Sequence, residues 1–288
     1  MLLIDGMMLA HRCRAKMDFL KNARGEPTGM EFGFLRTVEM LMKKYAELKI
    51  VVCWESPSGV SWRKEHCPAY KAHRSQPSPS FFGRLHVLRE FLRCFWDEAD
   101  ADGYEADDVM FSLSRTDGRH YVYTNDDDLL QAVTPACTVV KAFESKLYEW
   151  TIESVRDKYG VLPEHLPDLR AFLGDGSDAL TGVKRIDRKY LAVLVEWAYD
   201  TDASVTDAVK LGDWTPREKQ VLMDFIDSGR WLRNYELMRL SSVPLTLRSA
   251  EMHEDTVVAA LQRWEVRTLR LCEAFRGVLS STLIDEKF

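Results

Sequence analysis

The sequence predicts an α/β fold: a central, mostly parallel sheet flanked by helices, followed by a helical C-terminal region. Three observations carry this. Short apolar runs rich in Ile, Val and Tyr alternate with longer stretches of three-to-four periodicity through the first half. Strand-like runs fade after Thr151. In the second half, Thr215-Pro216-Arg217-Glu218 is a helix start, with a capping hydroxyl, Pro at the first helical position and Glu three after the cap.

The elements follow in order. Leu2–Ile4, Ile50–Trp54 and His120–Thr124 read as buried strands. A helix is expected over Glu31–Leu48, where Phe32, Leu35, Val38, Met42 and Tyr45 share a face. Phe81–Trp96 repeats that pattern, and Ala106–Leu113 is a shorter helix. Ser75–Ser80 is a Pro/Ser-rich exposed connector. Val257–Trp264 and Val266–Phe275 are helical in pattern, and Trp214, Trp231 and Trp264 are expected in packing. Residues 1–150 are thus expected to form the α/β core and residues 151–288 a helical region.

Composition narrows the class. With 288 residues, 46% of them hydrophobic, the chain builds a real core, which excludes disorder and a disulfide mini-scaffold. Its 39 basic and 45 acidic residues leave a net charge of −6, which argues against a simple basic coat for nucleic acid. The six cysteines are scattered without a C-x-x-C pair, so reduced thiols and a cytoplasmic setting are expected. The seven histidines show no ligand spacing, so any metal would be held by oxygen. No apolar run of about 18 residues predicts a membrane span. The N-terminus meets Asp5 without a basic lead, so no signal peptide is expected. No heptad seam demands a dimer, and a monomer is expected.

The acids are placed with order. Ile4 runs into Asp5, Trp54 into Glu55, and Thr124-Asn125 into Asp126, each at the carboxyl end of a strand. In α/β sheets that edge is where ligands bind. Glu105, Asp107 and Asp108 enter a helix; Asp126 and Asp128 stand two apart, Asp175 and Asp178 three apart. So many carboxylates at one edge would resist ionisation unless cations joined them. Hard divalent ions such as Mg²⁺ or Mn²⁺ suit that donor set, and a pair of such ions serves in-line attack on a phosphodiester. Asp97, Glu98, Asp100, Asp102 and Asp127 read instead as solvated surface acids.

Basic residues segregate as well. Between Trp62 and Arg93 stand seven Lys or Arg, among them Arg63, Lys64, Lys71 and Arg74, against Glu65 and Glu90. Lys184, Arg185, Arg188 and Lys189 surround a lone Asp187. Positive ground beside an acidic pocket suits a phosphodiester backbone.

Read in order, these pieces resemble the structure-specific 5′-nuclease superfamily: flap endonucleases, phage 5′→3′ exonucleases and the 5′-nuclease domain of bacterial polymerase I. The matching stretches begin with Leu3-Ile4-Asp5-Gly6, then Gly25–Gly29 with Gly33-Phe34-Leu35-Arg36. Trp62-Arg63-Lys64 leads to Tyr70-Lys71-Ala72-His73-Arg74. Tyr104–Asp108, Asn125–Gln131 and Gly174–Asp178 through Gly182-Val183 complete the series, covering about residues 2–190.

The resemblance implies a PIN-like core and, near residues 170–200, a helix-hairpin-helix-like (H3TH) element that holds duplex DNA. It implies two Mg²⁺ ions, with Mn²⁺ as a substitute. Asp5, Glu105, Asp107 and Asp108 match the acids of the first metal, with Glu55 an altered ligand where the family has Asp. Asp126, Asp128, Asp175 and Asp178 match those toward the second metal. Lys71 and Arg74 match the basic pair at the scissile phosphate, and Arg63, Lys64, Lys184, Arg185, Arg188 and Lys189 are the expected DNA-binding residues. The implied reaction is hydrolysis of DNA near free 5′ ends or flaps, with RNA/DNA hybrids as further substrates, in replication or recombination. A phage origin would place it in the host cytoplasm.

Two further departures stand out. The stretch from Tyr70 to Glu105 is short for a full helical arch. Where the family has a glycine hairpin, this chain has Arg185-Ile186-Asp187-Arg188-Lys189, so side chains are expected to replace backbone N–H groups at the duplex. Two other readings fit parts of the pattern: a weakened relative that binds branched DNA without cutting it, and a PIN-type RNase.

Overall fold

The computed structural model describes residues 1–56, 62–72, 77–144 and 146–265. β1 (Leu2–Asp5) runs directly into α1 (Gly6–Met17), which packs on α2 (Gly29–Lys44). There follow β2 (Ile50–Cys53), α3 (Trp62–His66), α4 (Pro79–Arg93), β3 (Asp97–Asp100), α5 (Ala106–Ser114), β4 (His120–Tyr123), β5 (Cys137–Phe143) and β6 (Lys146–Trp150). Then come α6 (Ile152–Tyr159), α7 (Leu166–Leu173), and the short pair β7 (Gly174–Asp175) and β8 (Leu180–Thr181). The chain continues through α8 (Arg188–Asp200), α9 (Val205–Leu211), α10 (Pro216–Asp227), α11 (Arg230–Met238), β9 (Thr246–Arg248) and α12 (Glu254–Trp264).

The main sheet has the order β6-β5-β4-β1-β2-β3-β9. The inner pairings are parallel, and β6 and β9 close the two edges antiparallel. The chain passes from β1 to β2 on one side and to β4 on the other, so a crevice opens at the carboxyl end of β1. Strands covered on both faces read as unbroken apolar runs, and β1 shows why. Leu2 and Ile4 face one buried cluster with Phe34, Leu88 and Trp264, while Leu3 faces the other with Val109, Leu169 and Phe225. Each fully buried Leu or Ile contributes about 1.5–3 kcal/mol. The second cluster draws on both halves of the chain, so no gap in the core falls near residue 150.

The three expected strands and the capping box of Thr215 and Glu218 are present. The first long helix begins at Gly29 rather than Glu31 and stops at Lys44 rather than Leu48. Trp231 and Trp264 pack inside, Trp264 being buried against Phe91. The expected helix over Val266–Phe275 lies outside the described residues.

The acidic segment at 97–102 corrects a sequence expectation. Asp97–Asp100 is a strand, and Glu98 and Asp100 are buried rather than solvated. Arg89 and Arg248 explain it: Arg89 Nε lies 2.8 Å from Glu98 Oε2 and its Nη2 3.0 Å from Asp100 Oδ2, while Arg248 Nη1 lies 2.6 Å from Asp100. Paired acids can occupy a strand that lone acids could not. A comparable staple joins α4 to α1 and α2, where Arg84 spans Glu31 at 2.6 Å and Asp18 at 3.0 Å.

Candidate active site

At the carboxyl end of β1, Asp5 is fixed by its neighbours. Its Oδ1 accepts from the Met8 N–H at 2.9 Å and its Oδ2 from the Thr124 hydroxyl at 3.0 Å. Asp5, Glu55, Glu105, Asp107 and Asp126 line one open cleft of about 580 Å³, together with Lys71, His11 and Phe82. These acids come from the ends of β1, β2 and β4 and the start of α5, where the helix N-terminus favours negative charge.

The charges act on one another. Burial, with Asp126 and Glu55 added, pushes Asp5 from its ordinary 3.8 up to about 7 against its two hydrogen bonds. Burial, Asp126 and Asp5 raise Asp107 well above the carboxylate range. Glu105 goes the other way: burial opposes its charge, but Lys71 and Arg63 outweigh that and lower its pKa. Lys71 Nζ lies 2.9 Å from Glu105 Oε1, and Tyr70 donates its hydroxyl to Glu105 Oε2 at 3.2 Å.

An all-oxygen, over-charged donor set fits a hard divalent cation. Among the described residues no three of the acids are yet gathered closely enough to hold one. Lys71 and Arg170 engage Glu105, Asp128 and Asp175 instead.

The raised Asp5 gives a pH prediction. A proton that folded Asp5 holds more tightly than unfolded Asp stabilises the cation-free chain, fully below about pH 4 and no longer once pH has risen through about 7. A cation must expel that proton. Calorimetric Mg²⁺ titration at about pH 6 is therefore expected to give a heat that depends on the buffer's ionisation enthalpy, and at about pH 9 one that does not. A buffer-independent heat at both values would refute the raised carboxyl.

Two expected site residues are corrected. Arg63 is not a DNA contact: it is 2% exposed, with Nη1 2.5 Å and Nη2 2.8 Å from the Asp108 carboxylate and Nε donating to the Leu237 carbonyl at 2.7 Å. Asp108, fully buried in that ion pair, is turned away from the cleft and supports it rather than lining it. Burial opposes the Arg63 charge, yet Asp108 and Glu105 hold its pKa above the ordinary guanidinium value. Arg74 lies outside the described residues.

The remaining acids form a second group. Gly174 has φ +71° and sits against Gly182 N, where a Cβ would come within 2.3 Å, so a tight turn presents Asp175 and Asp178. Asp128 is pushed up to about 7 by burial, against Arg170 and with Asp126, Asp175 and Asp178 adding to the rise. Asp127 stays out of the cleft, as expected, but is no free surface acid: Lys141, Lys158 and Tyr159 all bond to it.

Lys64, Lys184, Arg185, Arg188 and Lys189 are exposed. Arg185 has φ +68°, the left-handed conformation that glycine adopts without strain. Arg185→Gly is expected to stabilise the chain by about 1 kcal/mol in urea unfolding while weakening duplex binding. Unchanged stability would mean that the turn relaxes at no cost.

Sequence reasoning missed Thr124, Tyr70 and Arg170 as partners of the acids. Tyr70 left a trace as part of the Tyr70–Arg74 motif, and Thr124 only as the strand end before Asp126. A hydroxyl after a strand and one Arg in a helix are too common to single out.

Known proteins resemble the chain in sequence and in fold. The chain is 35% identical over 203 residues to thermostable DNA polymerase I of Thermus thermophilus, an alignment that covers 68% of this chain but 24% of that protein. It therefore spans about a quarter of that relative's length. In fold it is similar to T5 5′-exonuclease bound to divalent zinc, with a TM-score of 0.66, 18% identity, and 91% and 93% of the two chains covered. The bacteriophage T5 D15 flap endonuclease in complex with DNA and metal ions gives a TM-score of 0.64 at 19% identity, covering 91% and 92%. The family model of the 5′-3′ exonuclease N-terminal, resolvase-like domain matches residues 1–160, more than half of the sequence, and the chain belongs to that family.

Proposed function

We propose that the chain is a divalent-metal-dependent nuclease that hydrolyses DNA phosphodiesters near free 5′ ends, as a 5′→3′ exonuclease and flap endonuclease. The observation that carries this is the meeting of Asp5, Glu55, Glu105, Asp107 and Asp126 with Lys71 in one cleft at the sheet's carboxyl edge. Asp5, Glu55, Glu105, Asp107 and Asp126 would hold one ion, with Asp128, Asp175 and Asp178 beside them for a second. When bound, Mg²⁺, or Mn²⁺ in its place, supplies Lewis acidity toward phosphoryl oxygen and water.

The chain's own residues do the rest. Thr124 and the Met8 N–H keep Asp5 aimed at the cleft. Lys71, held ready by Glu105, offers its ammonium to a phosphate oxygen, where charge grows as the bond breaks. Lys64 and the exposed basic run from Lys184 to Lys189 meet the backbone on either side. Residues 1–150 would then cut and residues 151–288 hold the duplex, in a monomer serving replication or recombination, with RNA/DNA hybrids also accepted. The nuclease reading is supported by what the similar proteins are, one a DNA polymerase I and another a flap endonuclease in complex with DNA and metal ions.

A flap duplex labelled separately at its 5′ and 3′ ends tests the reading. Short 5′-labelled products that need Mg²⁺ and vanish with EDTA are expected, their size ladder separating flap cutting from exonuclease. Binding without cleavage would replace the nuclease by a branched-DNA-binding protein.

A further inference from the structure

The second group of acids already holds a cation, and it belongs to the chain. Arg170, in the last turn of α7, reaches between Asp128 and Asp175. Its Nε lies 2.7 Å from Asp128 Oδ1 and its Nη2 2.9 Å from Asp175 Oδ2. All three side chains are largely buried, at 13%, 17% and 22% exposure. The grip is uneven. Nη2 makes a hydrogen bond to Asp175, but Nε and Asp128 Oδ1, both buried, face each other without a hydrogen-bonded partner. An ion-pair contact at that distance without alignment leaves a donor and an acceptor dissatisfied. A small ion that accepts lone pairs from any direction would satisfy Asp128 better than the guanidinium does.

We propose that Arg170 is the resident counter-ion of the second acid group, holding Asp128 and Asp175 in the cation-free chain and yielding them when a divalent ion binds. A tethered guanidinium competes at high effective concentration, so the second ion binds much more weakly than the first. Once displaced, Arg170 stands beside the cleft with a planar fork free for a phosphate oxygen. The proposed nuclease reading supplies only the choice of ion, and the test reads binding, so the two can fail separately.

The probe is Mn²⁺ alone, titrated into the full chain and followed by calorimetry and by electron paramagnetic resonance of free Mn²⁺. Wild type is expected to bind one ion tightly and a second about tenfold or more weakly. Arg170→Gln is expected to tighten the second ion about tenfold, and Asp175→Asn in that background to abolish the gain. Arg170→Lys, which keeps a charge but loses the fork, serves if the Gln variant does not fold, with a smaller tightening expected. Two ions of equal affinity in wild type, or a second ion unmoved in a folded Arg170 variant, would overturn the proposal. Wild type that binds ions as described but cuts no DNA would overturn the nuclease reading and leave Arg170 in its role.

Discussion

Asp107→Asn is expected to lower Mg²⁺-dependent cleavage of a 5′ flap by about 10²–10³-fold or more without weakening the metal-free fold. Asp107 lines the cleft from the first turn of α5, and burial with Asp126 and Asp5 makes its charge costly there. An amide of the same shape removes that repulsion while removing an anionic ligand. The variant should therefore unfold at the wild-type temperature or above it in EDTA. Mg²⁺ should raise the melting temperature of wild type and not that of the variant. Single-turnover cleavage and paired thermal scans check both halves. Full activity in Asp107→Asn would remove this acid from the mechanism. Lost activity with a collapsed fold would make it a structural residue instead.

The second large effect falls on stability. Arg63→Met is expected to cost about 3–5 kcal/mol in urea unfolding, because it leaves the wholly buried Asp108 without its charge partner. The same change releases the Leu237 carbonyl, which ties α3 to the end of α11. Adding Asp108→Leu should recover most of the loss, since an apolar pair of similar size needs no counter-charge. A single variant within about 1 kcal/mol of wild type would show that water reaches the carboxylate. A double variant no better than the single one would place the cost in the packing of α3.

Much of this was legible in the sequence, and the residues show where legibility stops. β1, β2 and β4 are short unbroken apolar runs because both faces are covered, and a run of that kind is local information. The acid closing each of them marks the ligand edge in the same local way. Charge pairing is not local. Arg63 meets Asp108 across 45 positions and Arg248 meets Asp100 across 148, so their partners could not be read from neighbours. For that reason Asp97–Asp100 looked like a solvated face, and Arg63 like a hand for DNA. The edge strands β6 and β9 escaped notice because each is covered on fewer sides and carries no continuous apolar run. Arg185 shows another limit, since its left-handed backbone, φ +68°, is a conformation that an arginine in the sequence does not announce.

Crystals of the chain soaked in Mn²⁺, with diffraction recorded at the manganese absorption edge, bear most directly on the cleft. The expected result is an anomalous peak enclosed by Asp5, Asp107 and Asp126, on the side of the cleft that Lys71 faces. A cleft with no peak at millimolar Mn²⁺, or a peak held only by acids elsewhere on the surface, would contradict a cation site at the carboxyl edge of β1 and the hydrolysis built on it.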